Sequence, residues 1–231
     1  MIEFIAFDAD DTLWHNEPLF AETAARFREM LSQYHSPEWI DGRLYETEVR
    51  NLKHYGYGIK SFTLSMIETA IELTEGRVRG DEIGEILGFA KRMLQAPVDL
   101  LEGVEQTITL LAQSYQLMII TKGDIFDQES KLARSGLGDY FASVEIVTEK
   151  DRSTYETVAK RNGTRPSNVL MVGDSIRSDV IPMLEAGGHA IHIPYGTPWQ
   201  HELVEVDVAG RYEFHTAQSI VEVPEMIERM R

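Results

Sequence analysis

The sequence predicts an α/β fold, a core of parallel strands interrupted after its first strand by a block of helices. Three observations predict it. Five short apolar runs each stop at a polar, glycine or proline residue; helix punctuation lies between the later ones; and strand signals vanish from residue 15 to residue 97.

Ile2, Phe4, Ile5, Ala6 and Phe7 form the first run, which stops at Asp8, Asp10 and Asp11 as a buried strand does when its carboxyl end meets a solvent-filled crevice. Helical periodicity then takes over. Phe20, Thr23, Ala24, Phe27 and Met30 make one stripe, Phe62, Met66, Ala70 and Leu73 a second, and Ile83, Ile86, Leu87, Ala90 and Met93 or Leu94 a third. Pro18 marks the entry to this insertion and Pro97 its exit. The expected division is a core of residues 1–14 and 98–231 with a helical insertion at 15–97.

Val104, Ile108, Leu111 and Ala112 recur at helical spacing before the second run, Leu117 to Ile120, which ends at Thr121. The third, Val144 to Val147, ends near Lys150. Ser153-Thr154-Tyr155-Glu156 then fits a capping box, with Ser153 as the cap. The fourth, Val169 to Val172, ends at Gly173-Asp174, and Gly187 and Gly188 stand where the following helix should stop. The fifth, Ala190 to Ile193, ends at Pro194, and Ile220 to Met230 reads as a terminal helix. These are βαβ crossovers in outline.

Composition narrows the function classes. With 22 Lys+Arg against 38 Asp+Glu among 231 residues, the net charge of −16 repels a polyphosphate backbone, so nucleic acid is not expected as a partner. No stretch approaches the apolar length of a membrane helix, so no membrane partner is expected. The absence of cysteine removes disulfides, thiolate metal sites and cysteine nucleophiles, and suits a reducing compartment. Met1 to Phe7 is apolar but short, lacks a basic flank and runs straight into acidic residues, so the expected location is the cytoplasm.

Two acidic clusters are the candidates for chemistry. Side chains at i and i+2 of an extended chain face the same way, so Asp8 and Asp10 can converge at about 6–7 Å, where their repulsion calls for a divalent cation or a proton. An acidic surface turn would read the same. The second cluster, Gly173-Asp174-Ser175-Ile176-Arg177-Ser178-Asp179, follows another strand, and a parallel sheet brings both to one rim. Carboxylates from separate strands make an oxygen-rich site that suits Mg²⁺, which takes one or two carboxylates plus the oxygens of a bound phosphate. Asp174 is the expected direct ligand, with Asp179 behind it as an orienting group. A phosphoryl group also needs donors and positive charge, and Thr121 and Lys150 stand at strand ends where they could supply them.

Taken together, Phe7-Asp8-Ala9-Asp10-Asp11-Thr12-Leu13, Thr121, Lys150 and Gly173-Asp174 with Asp179 resemble the four motifs of the haloacid dehalogenase-like hydrolase superfamily, in order at the ends of the expected strands. The resemblance implies a Rossmann-like core with an inserted α-helical cap. It implies that Asp8 is the nucleophile that forms an aspartyl-phosphate, that Asp10 is the general acid and base, and that Thr121 and Lys150 hold the phosphoryl group. Mg²⁺ would be bound by the Asp8 carboxylate, the Asp10 backbone carbonyl and Asp174.

Within that superfamily, Asp10 points to phosphate esters, because a carbon–halogen bond has no leaving oxygen to protonate. The expected activity is therefore a Mg²⁺-dependent phosphatase acting on a small phosphorylated metabolite. A phosphomutase is the alternative, with a haloacid dehalogenase or a phospho-acceptor signalling module behind it. The second motif departs from its usual asparagine to read Thr121-Lys122-Gly123, which puts Lys122 either beside the substrate or towards solvent. The third follows Lys150 with Asp151-Arg152, leaving Arg152 as a rival cation. Trp14-His15-Asn16 falls at the hinge into the insertion, and Gly196-Thr197-Pro198-Trp199 reads as a turn near the crevice. His189 and His192 fall on opposite strand faces and are not a metal pair; Glu202 to Asp207 carries no chemical signal.

Overall fold

A computed structural model describes residues 1–196 and 199–230. Among them the chain divides into two compact units, one of residues 1–17, 98–122 and 129–231, the other of residues 18–97 and 123–128.

The first unit is built on a six-stranded parallel sheet in the order β3-β2-β1-β4-β5-β6. Its strands are β1 (Phe4–Phe7), β2 (Gln116–Lys122), β3 (Phe141–Val147), β4 (Val169–Gly173), β5 (His189–His192) and β6 (His215–Thr216). The first five are the expected runs with edges moved by a few residues. The sixth is two residues long, too short to leave a periodic signal. Strand β1 lies between β2 and β4, with Phe7 level with Ile119 on one side and Val172 on the other. The chain leaves β1 towards β2 and β3, then crosses back to β4, so the order reverses at β1. In open α/β sheets the crevice beyond the strand ends at such a reversal is where ligands bind.

Alternation along the strands feeds two cores, one on each face of the sheet. Ile5, Phe7, Leu117, Ile119, Leu170 and Val172 pack with Val104, Ile108 and Leu111 of α5 (Val104–Leu111). Ala6, Met118, Ile120 and Met171 face the other way, onto Tyr155, Val158 and Ala159 of α7 (Arg152–Arg161). Burial on both faces is why these strands read as continuous apolar runs. The capping box expected at Ser153 is a correction: Asp151 is the cap, accepting from the Thr154 amide at 2.7 Å, while the Ser153 hydroxyl donates to Asp151 and Glu156 pairs with Arg152. Both bonds end on Asp151 Oδ1, whose two lone pairs let it accept from both partners at once.

The second unit is helical: α1 (Glu17–Leu31), α2 (Pro37–Tyr55), α3 (Ile59–Leu73) and α4 (Gly80–Gln95). Phe27, Phe62, Met66, Ala70, Ile86 and Met93 share one buried core, whereas Leu87, expected on its stripe, is 45% exposed. Residues 123–128, expected with the sheet, group with these helices because the Gly58 backbone lies against Asp124 and Lys60 pairs with the Asp124 carboxylate at 2.8 Å. These six residues span the start of α6 (Ile125–Ser135).

Candidate active site

Asp8 is the first residue beyond β1, and its amide donates to the Val172 carbonyl of β4 at 2.9 Å, so the sheet itself fixes its backbone. The turn after β4 brings in Asp174, and the five-residue π-turn Ile176–Val180 brings back Asp179. Ligand oxygens of Asp8, Asp174 and Asp179 all lie within 4.8 Å of one another. Gly173 is required by this return: a Cβ there would stand 2.2 Å from Asp179 Oδ2.

Lys150, beyond β3, is 4% exposed and sends its ammonium between two of these groups, to Asp8 Oδ1 and to Asp179 Oδ1 at 2.7 Å. Asp179 accepts in addition from the Ser175 amide at 3.0 Å, so it is held from two sides. Arg152, the rival cation, is exposed and paired with Glu156. Thr121, near the end of β2, is 2% exposed, and its hydroxyl donates to the Lys122 carbonyl at 3.3 Å. The Thr12 hydroxyl reaches Asp174 Oδ1 at 3.4 Å, and the Asp174 carbonyl meets His192 Nε2 at 2.8 Å.

Two buried carboxylates, Asp8 and Asp179, thus face one ammonium, with the part-buried Asp174 beside them. Burial pushes the Asp8 carboxyl up to about 7, with Lys150 opposing and Asp179 adding to the rise. Asp174 is raised well above the ordinary carboxylate range by burial and by the charges of Asp8 and Asp179. For Lys150 burial works against the charged form, but Asp179 and Asp8 outweigh it and hold the ammonium well above its usual value. The imbalance is what a divalent cation would correct, and the donor set is all oxygen and compact. It fits Mg²⁺.

Asp10 is built differently. Its carboxylate accepts from Trp14 Nε1 at 2.6 Å and from the Lys131 ammonium of α6 at 2.9 and 3.1 Å, while Lys131 also donates to Asn16 Oδ1 at 2.9 Å. Trp14 is 1% exposed, so it packs under Asp10 and does not stand open to a ligand. The loop between them turns through Asp11 at φ 62°, whose carboxylate accepts from the Asn16 and Glu17 amides at the start of α1. Burial raises Asp11 to about 6.

Lys122 neither faces solvent nor stands free. Its ammonium is taken by Glu202 Oε1 at 2.7 Å and by the Ser178 hydroxyl at 2.9 Å. Glu202 is thus part of the site's surroundings although its segment read as chemically silent; as one of 38 acidic residues it gave no local pattern to find. Burial alone would raise its carboxyl, but Lys122 and the hydroxyls of Ser175 and Ser178 hold it at about 2. Lys131 was likewise invisible, 121 positions from its partner. The Asp10–Trp14 bond did have a signal in their i, i+4 spacing. The turn expected over Gly196-Thr197-Pro198-Trp199 lies partly outside the described residues, at Thr197 and Pro198.

Known proteins resemble this chain over the same regions. A family model described as haloacid dehalogenase-like hydrolase matches residues 2–188. A crystal structure of a haloacid dehalogenase-like family hydrolase from Xanthomonas campestris is 38% identical, covers 99% of this chain and 91% of that one, and superposes with a TM-score of 0.86. N-acylneuraminate-9-phosphatase of Homo sapiens is 24% identical over 197 residues, 80% of this chain and 79% of its own. Glyceraldehyde 3-phosphate phosphatase of Pyrococcus furiosus is 24% identical over 234 residues, 98% of this chain and 92% of its own.

Proposed function

Because the chain belongs to the haloacid dehalogenase-like hydrolases, we propose that it is a Mg²⁺-dependent phosphatase that hydrolyses a small phosphorylated metabolite through a covalent intermediate on Asp8. The observation that carries this reading is the meeting of Asp8, Asp174 and Asp179 around the Lys150 ammonium at the reversal point of the sheet. The two phosphatases similar to this chain bear names of small phosphorylated substrates, which supports the same substrate class.

Asp8 and Asp174 would hold the ion together with the Asp10 carbonyl, and Asp179 would orient Lys150 behind them. When bound, Mg²⁺ supplies positive charge that offsets the carboxylates and the phosphoryl oxygens. An Asp8 oxygen attacks phosphorus; the phosphorus–oxygen bond to the alcohol breaks as Asp10, which must enter this step in its protonated form, gives that oxygen its proton. Water then attacks the aspartyl-phosphate while Asp10 takes a proton from it, and inorganic phosphate leaves with Asp8 regenerated. Lys150 and the Thr121 hydroxyl hold the transferred oxygens through both steps, which splits one difficult displacement into two easier ones. No helix among the described residues is long and apolar enough to cross a membrane; with no cysteine in the chain, we place the reaction in the cytoplasm.

The test is a Mg²⁺-dependent screen of metabolite phosphates with a chelator control, run beside Asp8→Asn. Phosphate release from one compound, lost with chelator and abolished in a variant that melts as a folded protein, is expected. Retained turnover in that variant removes Asp8 from the role.

A further inference from the structure

Glu202 sits in a short turn, Gln200–Glu202, far along the chain from every motif residue, yet its carboxylate closes a network behind the acidic site. Its Oε2 accepts from both the Ser175 and the Ser178 hydroxyls at 2.6 Å, and its Oε1 accepts from Lys122 at 2.7 Å. Each hydroxyl both donates and accepts. Ser175 Oγ accepts from the Ser178 amide at 3.0 Å while donating to Glu202; Ser178 Oγ accepts from Lys122 while donating to Glu202. The Tyr155 hydroxyl donates to the Ser178 carbonyl at 2.9 Å, and the Ser175 amide donates to Asp179. The turn from Asp174 to Asp179 is therefore gripped at both serines by one carboxylate, and that carboxylate is itself fixed by one lysine. The turn has backbone bonds of its own, from the Asp179 and Val180 amides to the Ser175 carbonyl at 2.8 and 3.2 Å, and Glu202 adds a tether from outside it.

We infer that Glu202, anchored by Lys122, is a positioning residue that fixes the 174–179 turn and so sets how tightly the Asp8, Asp174 and Asp179 carboxylates take up a divalent cation. The inference rests on the metal-binding reading of that site. It also gives Lys122 a place: the lysine that replaces the family's usual asparagine reaches the turn from the end of β2, on the far side of β1 from β4, and keeps Glu202 charged and aimed at the serines. Removing the carboxylate leaves two hydroxyl hydrogens without this acceptor and takes from the mostly buried Lys122 ammonium its ion pair at 2.7 Å.

Calorimetric titration of the full chain with Mg²⁺ tests this, with melting measured in chelator and kcat measured across a Mg²⁺ series. Wild type should bind and Asp174→Asn should not. Glu202→Ala should stay folded and bind Mg²⁺ at least about tenfold more weakly, the loss typical when a group supporting a metal ligand is removed. Its kcat should recover as Mg²⁺ is raised to saturation, which a general folding defect would not do. Glu202→Gln, which keeps one oxygen for the serines but cannot pair with Lys122, should fall between. Mg²⁺ affinity within twofold of wild type in folded Glu202→Ala overturns the inference. Should Glu202→Ala fail to fold, Ser178→Ala decides in its place: weakened Mg²⁺ binding supports the inference and unchanged binding overturns it. Absence of Mg²⁺ binding in the wild type overturns the metal-binding reading itself, and this inference with it.

Discussion

Two buried lysines meet aspartates of the same loop, and the two meetings are opposite in charge balance. At Lys150 one ammonium faces Asp8 and Asp179, with Asp174 beside them. At Lys131 the ammonium meets the Asp10 carboxylate beside the neutral groups of Trp14 and Asn16. The first cluster is left with excess negative charge in a buried place, which costs free energy until a cation or protons arrive. In the second, the Asp10 carboxylate already has an ammonium at 2.9 Å. An unbalanced cluster is built to receive a ligand, and a balanced one is built to hold a side chain still.

The largest expected effect that would break this contrast is at Lys150. Lys150→Met leaves buried carboxylates with no counter-charge, and the metal-free protein should lose about 3–5 kcal/mol of stability, measured by denaturant unfolding in chelator. Added Mg²⁺ should recover part of that loss. Unchanged stability would mean that the cluster is solvated or protonated enough not to need its lysine.

Next in size is the balanced pair. Lys131→Met should cost about 1–2 kcal/mol, less than at Lys150 because the Asp10 carboxylate is 23% exposed and water can replace the lost donor. Under the proposed mechanism Asp10→Asn slows departure of poor leaving groups most, so alkyl phosphates should lose more than aryl phosphates. If Lys131 serves to aim Asp10, Lys131→Met should show the same ordering in a milder form. Equal losses on both substrate classes would detach Lys131 from proton transfer.

The same contrast separates what was legible in the sequence from what was not. Asp8, Thr121 and Asp174 stand at or just beyond the ends of strands buried on both faces, which announce their ends by the sudden change from apolar to polar; Lys150 follows β3, an edge strand that is mostly part-exposed. Lys131 and Glu202 sit on other elements and act through tertiary contact, with no periodicity or spacing linking them to their partners. Helix α2 escaped for a related reason. Its buried stripe is Ile40, Leu44, Thr47 and Asn51, half of it polar. Asn51 earns its burial through bonds to Ser65 and Glu68 of α3, which a hydrophobic pattern cannot register.

The smallest effect, and the one that sharpens the comparison most, is the pH dependence of stability. Asp8 stands at about 7 in the folded chain against an ordinary 3.8, and Asp174 is also raised, so between these values the folded state holds protons that the unfolded chain has released. Stability from such groups is full below the ordinary value and is lost as pH rises through the folded one. Asp11, at about 6, and Glu17, raised by burial to about 7, act in the same direction. Glu202, held at about 2, acts in the opposite sense, but its contribution is already complete above its ordinary 4.5 and changes nothing between pH 5 and 7. Burial lowers the imidazoles of His192 and His201, which oppose this in the same range, but the four raised carboxyls outnumber them, so in chelator the melting temperature should fall as pH is raised from about 5 to about 7. Mg²⁺ must displace the protons on Asp8 and Asp174 to bind, so it should raise the melting temperature more at pH 7.5 than at pH 5.5, and its uptake should release protons into the buffer. A melting temperature in chelator that climbs across this range would show that the carboxylates around Lys150 are ionised without help, and would erase the difference between the two lysines.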